Sequence, residues 1–158
     1  MFPTDKLPTV PYWRVFSDAY IVHKDPAGEP GEHWLAIWTR NRECEVFDSY
    51  GLPLSTYKNS QLQAWFKQWK EVITSGMNLQ AMDIHTCGHY ALMFLKAKAR
   101  GSSFQEFLAQ WNSSNLVLND QRFAQSLKGI IKKELHASEL SCKQANVSRD
   151  TFFYFYGQ

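Results

Sequence analysis

Cysteine is scarce in this chain, and what there is does not pair. Cys44, Cys87 and Cys142 are an odd number at wide spacings, which excludes a disulfide framework and a zinc site built from paired CxxC units. Free thiols in a reducing, intracellular compartment are therefore expected. Long apolar runs are also missing. None reaches the ~18 residues that would span a bilayer, and Met1 to Pro11 carries polar residues and prolines where a signal peptide would have its apolar stretch. Charge of one sign is lacking too: the formal net charge is only +2, enough for weak attraction to DNA and too little to establish it. No internal repeat or low-complexity segment occurs.

What the chain has in quantity is aromatic residues, 15% of the total beside a 44% hydrophobic fraction, as expected for a folded protein with large rings in its core. The 158 residues fit one domain covering 1–158. The first 18 residues contain Pro3, Pro8 and Pro11 and read as an irregular lead-in packed by Tyr12, Trp13 and Phe16. Ala19 to Val22 forms a short strand, and the Pro- and Gly-rich stretch Asp25 to Glu32 is a loop. His33 to Thr39 is apolar almost throughout, as in a strand covered on both faces. Asn41 to Glu43 supply a turn, Cys44 to Asp48 the return strand, and Ser49 to Pro53 its end.

From Thr56 the period changes. Leu62, Trp65, Phe66, Trp69 and Ile73 recur at helical spacing, with Gly76 just past the end. Met77 to Ala81 is read as another short strand. Cys87 to Arg100 is a helix with its positive charges in the last turn and Gly101 as its stop. Ser103 to Glu106 has the S-x-x-E form of a capping box and opens a helix to about Trp111. A last helix is expected from about Asp120 to Leu135, on Phe123, Leu127, Ile130, Ile131 and Leu135, and the aromatic Thr151 to Tyr156 as a packed edge strand. The pattern is α+β: a small, mostly antiparallel sheet from the first half, flanked by helices from the second.

Three positions have the setting for chemistry. Cys87 opens a helix, where unpaired backbone N–H groups and the positive end of the dipole favour a thiolate. Gly88 after it leaves the approach open, and the Cys87 N–H could serve an oxyanion. The competing reading is a buried structural cysteine. His33 lies where a long loop enters a buried strand, a rigid but reachable place for a base. Of the other histidines, His85 and His89 are each two residues from Cys87 and point to different sides of the chain. A metal site from His85, Cys87 and His89 lacks a second ligand cluster, so no metal is expected. Asp48 ends the return strand of the hairpin, and antiparallel pairing brings it back beside His33, where a carboxylate can orient an imidazole. Its alternative is a plain turn residue.

The order His33-Trp34, Phe47-Asp48-Ser49-Tyr50-Gly51, Gln80, Cys87-Gly88 resembles the adenovirus endopeptidase (adenain) family and the related proteases of Maverick/Polinton virus-like transposons. The resemblance runs from about Ala19 through Phe94, including the Ala19 to Val22 approach and the Gly31-Glu32-His33-Trp34 entry. It implies an α+β cysteine endopeptidase in which Cys87 is the nucleophile, His33 the base, Asp48 the acid and Gln80 the oxyanion-hole glutamine, with Trp34 packed beside the histidine. It also implies processing of capsid or core precursors at glycine-containing sites, in the host nucleus or the virion, by a monomer that needs no cofactor for its chemistry. Members of the family take a disulfide-linked peptide activator and are stimulated by DNA, but Trp65 to Met77 contains no cysteine to receive such a peptide. Papain-like enzymes have the reverse order of cysteine and histidine, and chymotrypsin-like viral cysteine proteases are all-β. Proteases that remove ubiquitin-like modifiers share the order and fold, with Asp-Cys-Gly where this chain has Thr86-Cys87-Gly88. A catalytically silent capsid or DNA accessory protein on the same fold is the alternative outside the enzymes.

Overall fold

A hairpin organises the sheet. Trp34–Arg40 (β3) and Glu43–Phe47 (β4) pair antiparallel with Arg40 opposite Glu43. Asn41 and Arg42 between them both have positive φ, 50° and 68°, the combination that lets a two-residue turn match the twist of its strands. Asp18–His23 (β2) pairs antiparallel with β3 on the other side. Two short strands flank these in parallel: Phe2–Pro3 (β1) beside β2, and Glu71–Thr74 (β5) beside β4, giving the order β1-β2-β3-β4-β5. The helices are Ser60–Phe66 (α1), Cys87–Ala99 (α2), Phe104–Leu108 (α3) and a run over 116–126 (α4), with a 3-10 turn at Leu54–Thr56. The fold is thus α+β. This computed structural model describes residues 2–3, 6–8, 17–25, 28, 33–81, 86–126 and 128. The chain divides into two units, Met1–Asp120 and Gln121–Gln158. Of the second, residues 121–126 are helical and Phe123 is buried.

Strand alternation assigns the two faces of the sheet. Leu35 and Ile37 of β3, with Cys44 and Val46 of β4, pack with Tyr57, Leu62, Trp65 and Phe66 on the α1 side. Phe47, one residue on from Val46, points the other way and stacks on Phe94 of α2 at 5.2 Å, with Phe107 of α3 edge-on at 5.2 Å. Ala36 is fully buried and faces the same side as Phe47 by alternation, its small side chain allowing α2 to lie close across β3. Both faces being covered explains the apolar run from Trp34 to Trp38 in β3.

Several expectations need correction. The helical spacing from Leu62 does not persist to Ile73: α1 ends at Phe66, and Val72 and Ile73 lie in β5, registered with Cys44 and Glu45. The β-branched run Val72-Ile73-Thr74 favours a strand, and Lys70 N–H is already tied to Arg42 C=O at the hairpin turn (3.0 Å). Met77 to Ala81 is an irregular segment rather than a strand, and α4 starts at 116, before Asp120. The Ser103–Glu106 capping box forms as expected, although α3 stops at Leu108. The C-terminal part of the Asp120 to Leu135 helix, Tyr12, Trp13, Phe16, His85, His136, Cys142 and the Thr151 to Tyr156 tail lie outside the described residues. Among the described residues no helix is long and apolar enough to cross a membrane.

The loop after β4 begins with Asp48 and is closely packed. Asp48 C=O accepts from Gly51 N–H (3.0 Å), closing a turn in which Gly51 has φ +66°. A Cβ on Gly51 would stand 2.4 Å from the Met77 carbonyl carbon and 2.6 Å from Asn78 N. Backbone against backbone cannot yield as a side chain would. Gly51→Ala is therefore expected to destabilise by more than the ~1–2 kcal/mol of the left-handed conformation alone, with the urea midpoint as the measurement. An unchanged midpoint would contradict this packing.

Candidate active site

His33 sits immediately before β3, and Asp48 immediately after β4. Because Ala36 is paired with Phe47, the register carries both residues to the same end of the hairpin. There His33 Nε2 meets Asp48 Oδ1 at 2.7 Å. A carboxylate only accepts, so Nε2 carries a proton and donates it to this bond. The pair is almost fully enclosed, with His33 5% and Asp48 3% exposed, a burial that a charge tolerates only when its hydrogen-bonding capacity is met. Asp48 meets that condition. Oδ1 also accepts from Tyr50 N–H (2.9 Å), and Oδ2 accepts from Leu52 N–H (3.1 Å) and from the Tyr57 hydroxyl. Its backbone is fixed as well: Ser75 Oγ donates to Asp48 C=O at 2.9 Å and accepts from Asp48 N–H at 3.3 Å.

Cys87 is the first residue of α2 and is 7% exposed. Burial alone would push its thiol up. The His33 imidazole and the backbone N–H groups of Trp34 and Gly88 outweigh that and hold the thiol below its ordinary value. Burial likewise works against a charged His33, yet the Asp48 hydrogen bond, followed by the thiol of Cys87, raises the imidazole to about 9. With Nε2 committed to Asp48, the nitrogen left for the thiol is Nδ1. That atom is buried and makes no hydrogen bond among the described residues. The two opposed shifts favour a proton on the ring and a negative charge on the sulfur. Cys44 differs: it is completely buried and its thiol is pushed up by burial, the signature of a packing residue.

Gly88 has a defined neighbour. A Cβ there would touch Trp34 Cδ1 at 3.4 Å, so the start of α2 rests against the indole, whose other partner is His23, edge-on at 4.8 Å. Tyr50 lies against the His33 ring with centroids 4.8 Å apart. Gln80 is fully buried. Ser49 Oγ donates to its Oε1 (2.7 Å), which turns Nε2 toward Tyr50 Oη (3.3 Å). Gln80 is therefore linked to the histidine by way of Tyr50. His33, Asp48 and Cys87 come together in space, and Gln80 adjoins them through Ser49 and Tyr50. His89 lies two residues after Cys87 on α2 and is exposed.

Sequence reasoning missed the supports. Tyr57 and Ser75, nine and 27 residues from Asp48, carry no local signal of their roles. Ser49 and Tyr50 stood within the recognised Phe47 to Gly51 stretch without a function. No protein-family model matches the chain, and no curated protein matches it significantly. Among solved structures, the crystal structure of the Se-Met ASFV pS273R protease is similar over 63% of this chain and 40% of its own, at 18% identity and a TM-score of 0.48. The chain thus spans about two fifths of that protein's length.

Proposed function

We propose that the chain is a cysteine endopeptidase acting through Cys87, His33 and Asp48. The observation that carries this reading is the division of labour at His33. One ring nitrogen is bonded to a buried carboxylate at 2.7 Å, and the same imidazole promotes the ionisation of a thiol at the start of a helix. A nucleophile, a base and a group orienting the base are the parts that acyl transfer requires.

The Cys87 thiolate attacks the carbonyl carbon of a peptide bond, forming a C–S bond and a tetrahedral oxyanion. The Cys87 N–H and the Gln80 amide supply the donors for that oxyanion, a type of contact worth ~2.7–4 kcal/mol of barrier each. As the oxyanion collapses, the C–N bond breaks and the departing amine takes the proton held on His33. Water, deprotonated by His33, then attacks the thioester; the C–S bond breaks, the acid product leaves, and the Cys87 thiolate beside protonated His33 is restored. Asp48 keeps the ring in the required tautomer throughout. The substrates that fit the sequence resemblance are viral or virus-like structural precursor proteins cut next to glycine.

The test is digestion of a library of glycine-containing peptides, read by mass spectrometry, before and after complete alkylation of Cys87 with iodoacetamide. Cleavage by the untreated protein and its loss on alkylation are expected. Cleavage that survives full modification of Cys87 would overturn the proposal.

A further inference from the structure

The segment that presents Gln80 has no secondary structure of its own, yet it is held from two sides. On one side, Ser49 C=O accepts from Leu79 N–H (2.8 Å) and Gln80 N–H (3.2 Å). On the other side stands the start of α4. Asn119, fully buried, donates from Nδ2 to Leu79 C=O (3.1 Å) and to Asn112 C=O (2.7 Å), and its Oδ1 accepts from Asn112 N–H (2.9 Å). Asp120, 8% exposed, accepts from Ala81 N–H on Oδ2 (3.2 Å) and from the Tyr90 hydroxyl on Oδ1 (2.9 Å). Tyr90 belongs to α2, three residues after Cys87, and its hydroxyl also lies 3.4 Å from Leu79 C=O.

One buried carboxylate therefore grips both the residue after Gln80 and the helix that begins with Cys87. A buried carboxylate is costly unless its oxygens are used, and here each is used on a different one of the two elements. The hydrogen bonds of the Asn119 and Asp120 side chains run to the backbone on either side of Gln80, to Asn112 and to Tyr90, and not to His33, Asp48 or Cys87. These bonds tie the backbone on either side of Gln80 to the helix that Cys87 begins, and do not touch the thiol or the imidazole.

We propose that Asp120, with Asn119 and Tyr90, is a positioning residue that sets the spacing between the two donors of the oxyanion hole. This rests on the reading of Gln80 and the Cys87 N–H as those donors. Donors aimed at a developing oxyanion lose their effect when displaced by a fraction of an ångström, so the consequence falls on acyl transfer and not on thiol ionisation.

Two reagents separate these effects. p-Nitrophenyl acetate acylates a thiolate through a tetrahedral oxyanion, whereas iodoacetamide alkylates it by displacing iodide and forms no oxyanion. Asp120→Ala is expected to slow acylation of Cys87 about 10- to 100-fold, while its alkylation rate stays within about twofold of wild type across the pH range. Asp120→Asn keeps one accepting oxygen and should recover part of the loss. Tyr90→Phe, which removes only the hydroxyl, should show a smaller selective loss and provides the test if Asp120→Ala does not fold. Adding Gln80→Ala to Asp120→Ala should cost little beyond Gln80→Ala alone, because a misplaced donor has little left to lose.

Equal slowing of both reactions, no slowing of acylation, or multiplying effects of Gln80→Ala and Asp120→Ala would each overturn the positioning role. A wild-type protein that is alkylated at Cys87 and never acylated would instead overturn the peptidase reading, and this proposal with it.

Discussion

Asp48→Ala is expected to cost the protein on the order of 3–5 kcal/mol of stability and nearly all of the proposed peptidase activity. The size of the first effect comes from the donors that the carboxylate leaves behind. His33 Nε2, two backbone N–H groups and the Tyr57 hydroxyl all donate to it, and the buried His33 and Tyr57 donors would be stranded with almost no access to water. Against a typical total stability of ~5–15 kcal/mol, such a loss should appear as a large fall in the urea midpoint. The second effect comes from the imidazole. Without an acceptor on Nε2, the ring loses both its orientation and its preference for holding a proton. Asp48→Asn separates the two consequences, since it keeps the volume and one accepting oxygen. It should be milder in stability than Asp48→Ala while still lowering kcat by ~10^4-fold, because an amide cannot fix the tautomer as a carboxylate does. Steady-state kinetics beside urea denaturation of the two variants checks both halves. A stable, active Asp48→Ala would contradict the arrangement.

In the proposed mechanism His33 both activates the nucleophile and protonates the leaving amine, so His33→Ala is expected to lose ~10^4–10^6-fold in kcat. The pH dependence of the wild type rests on the same residue. Rate should rise as Cys87 ionises, at a pH below the ordinary thiol value, because His33 and the Trp34 and Gly88 N–H groups favour the thiolate against the opposing effect of burial. Rate should fall again as His33 loses its proton at about 9, since a neutral ring has no proton for the departing amine. The profile is therefore bell-shaped. His33→Ala should leave only a residual rate without the upper limb. A wild-type rate that climbs steadily past pH ~10, beyond the range in which a raised imidazole titrates, would place the acid elsewhere.

Much of the site was legible because its members sit at the ends of regular elements. A helix start, a strand entry after a loop of glycines and prolines, and the far end of a hairpin each have local signatures. Pairing the hairpin from its turn was enough to bring Asp48 beside His33. Gln80 had no such signature. Its segment is irregular, and only the order of residues in the resemblance pointed to it. The β5 strand was lost for a different reason: Trp69 and Ile73 continue the spacing of Leu62 and Phe66, so periodicity ran a helix through a strand that parallel pairing with β4 stabilises. The β-branched run Val72 to Thr74 was the signal that should have stopped it. Tyr57, Ser75, Asn119 and Asp120 could not be found from local pattern at all, because each acts on a partner brought near by the tertiary fold.

That His33 and Cys87 form one functional unit is tested most directly by the rate of iodoacetamide alkylation of Cys87 as a function of pH, in wild type and His33→Ala. The wild-type thiol should ionise below its ordinary value of 9.0, and in His33→Ala the curve should move upward, because burial then acts with less opposition. Superimposable curves, or a wild-type thiol that ionises at or above 9.0, would contradict that coupling.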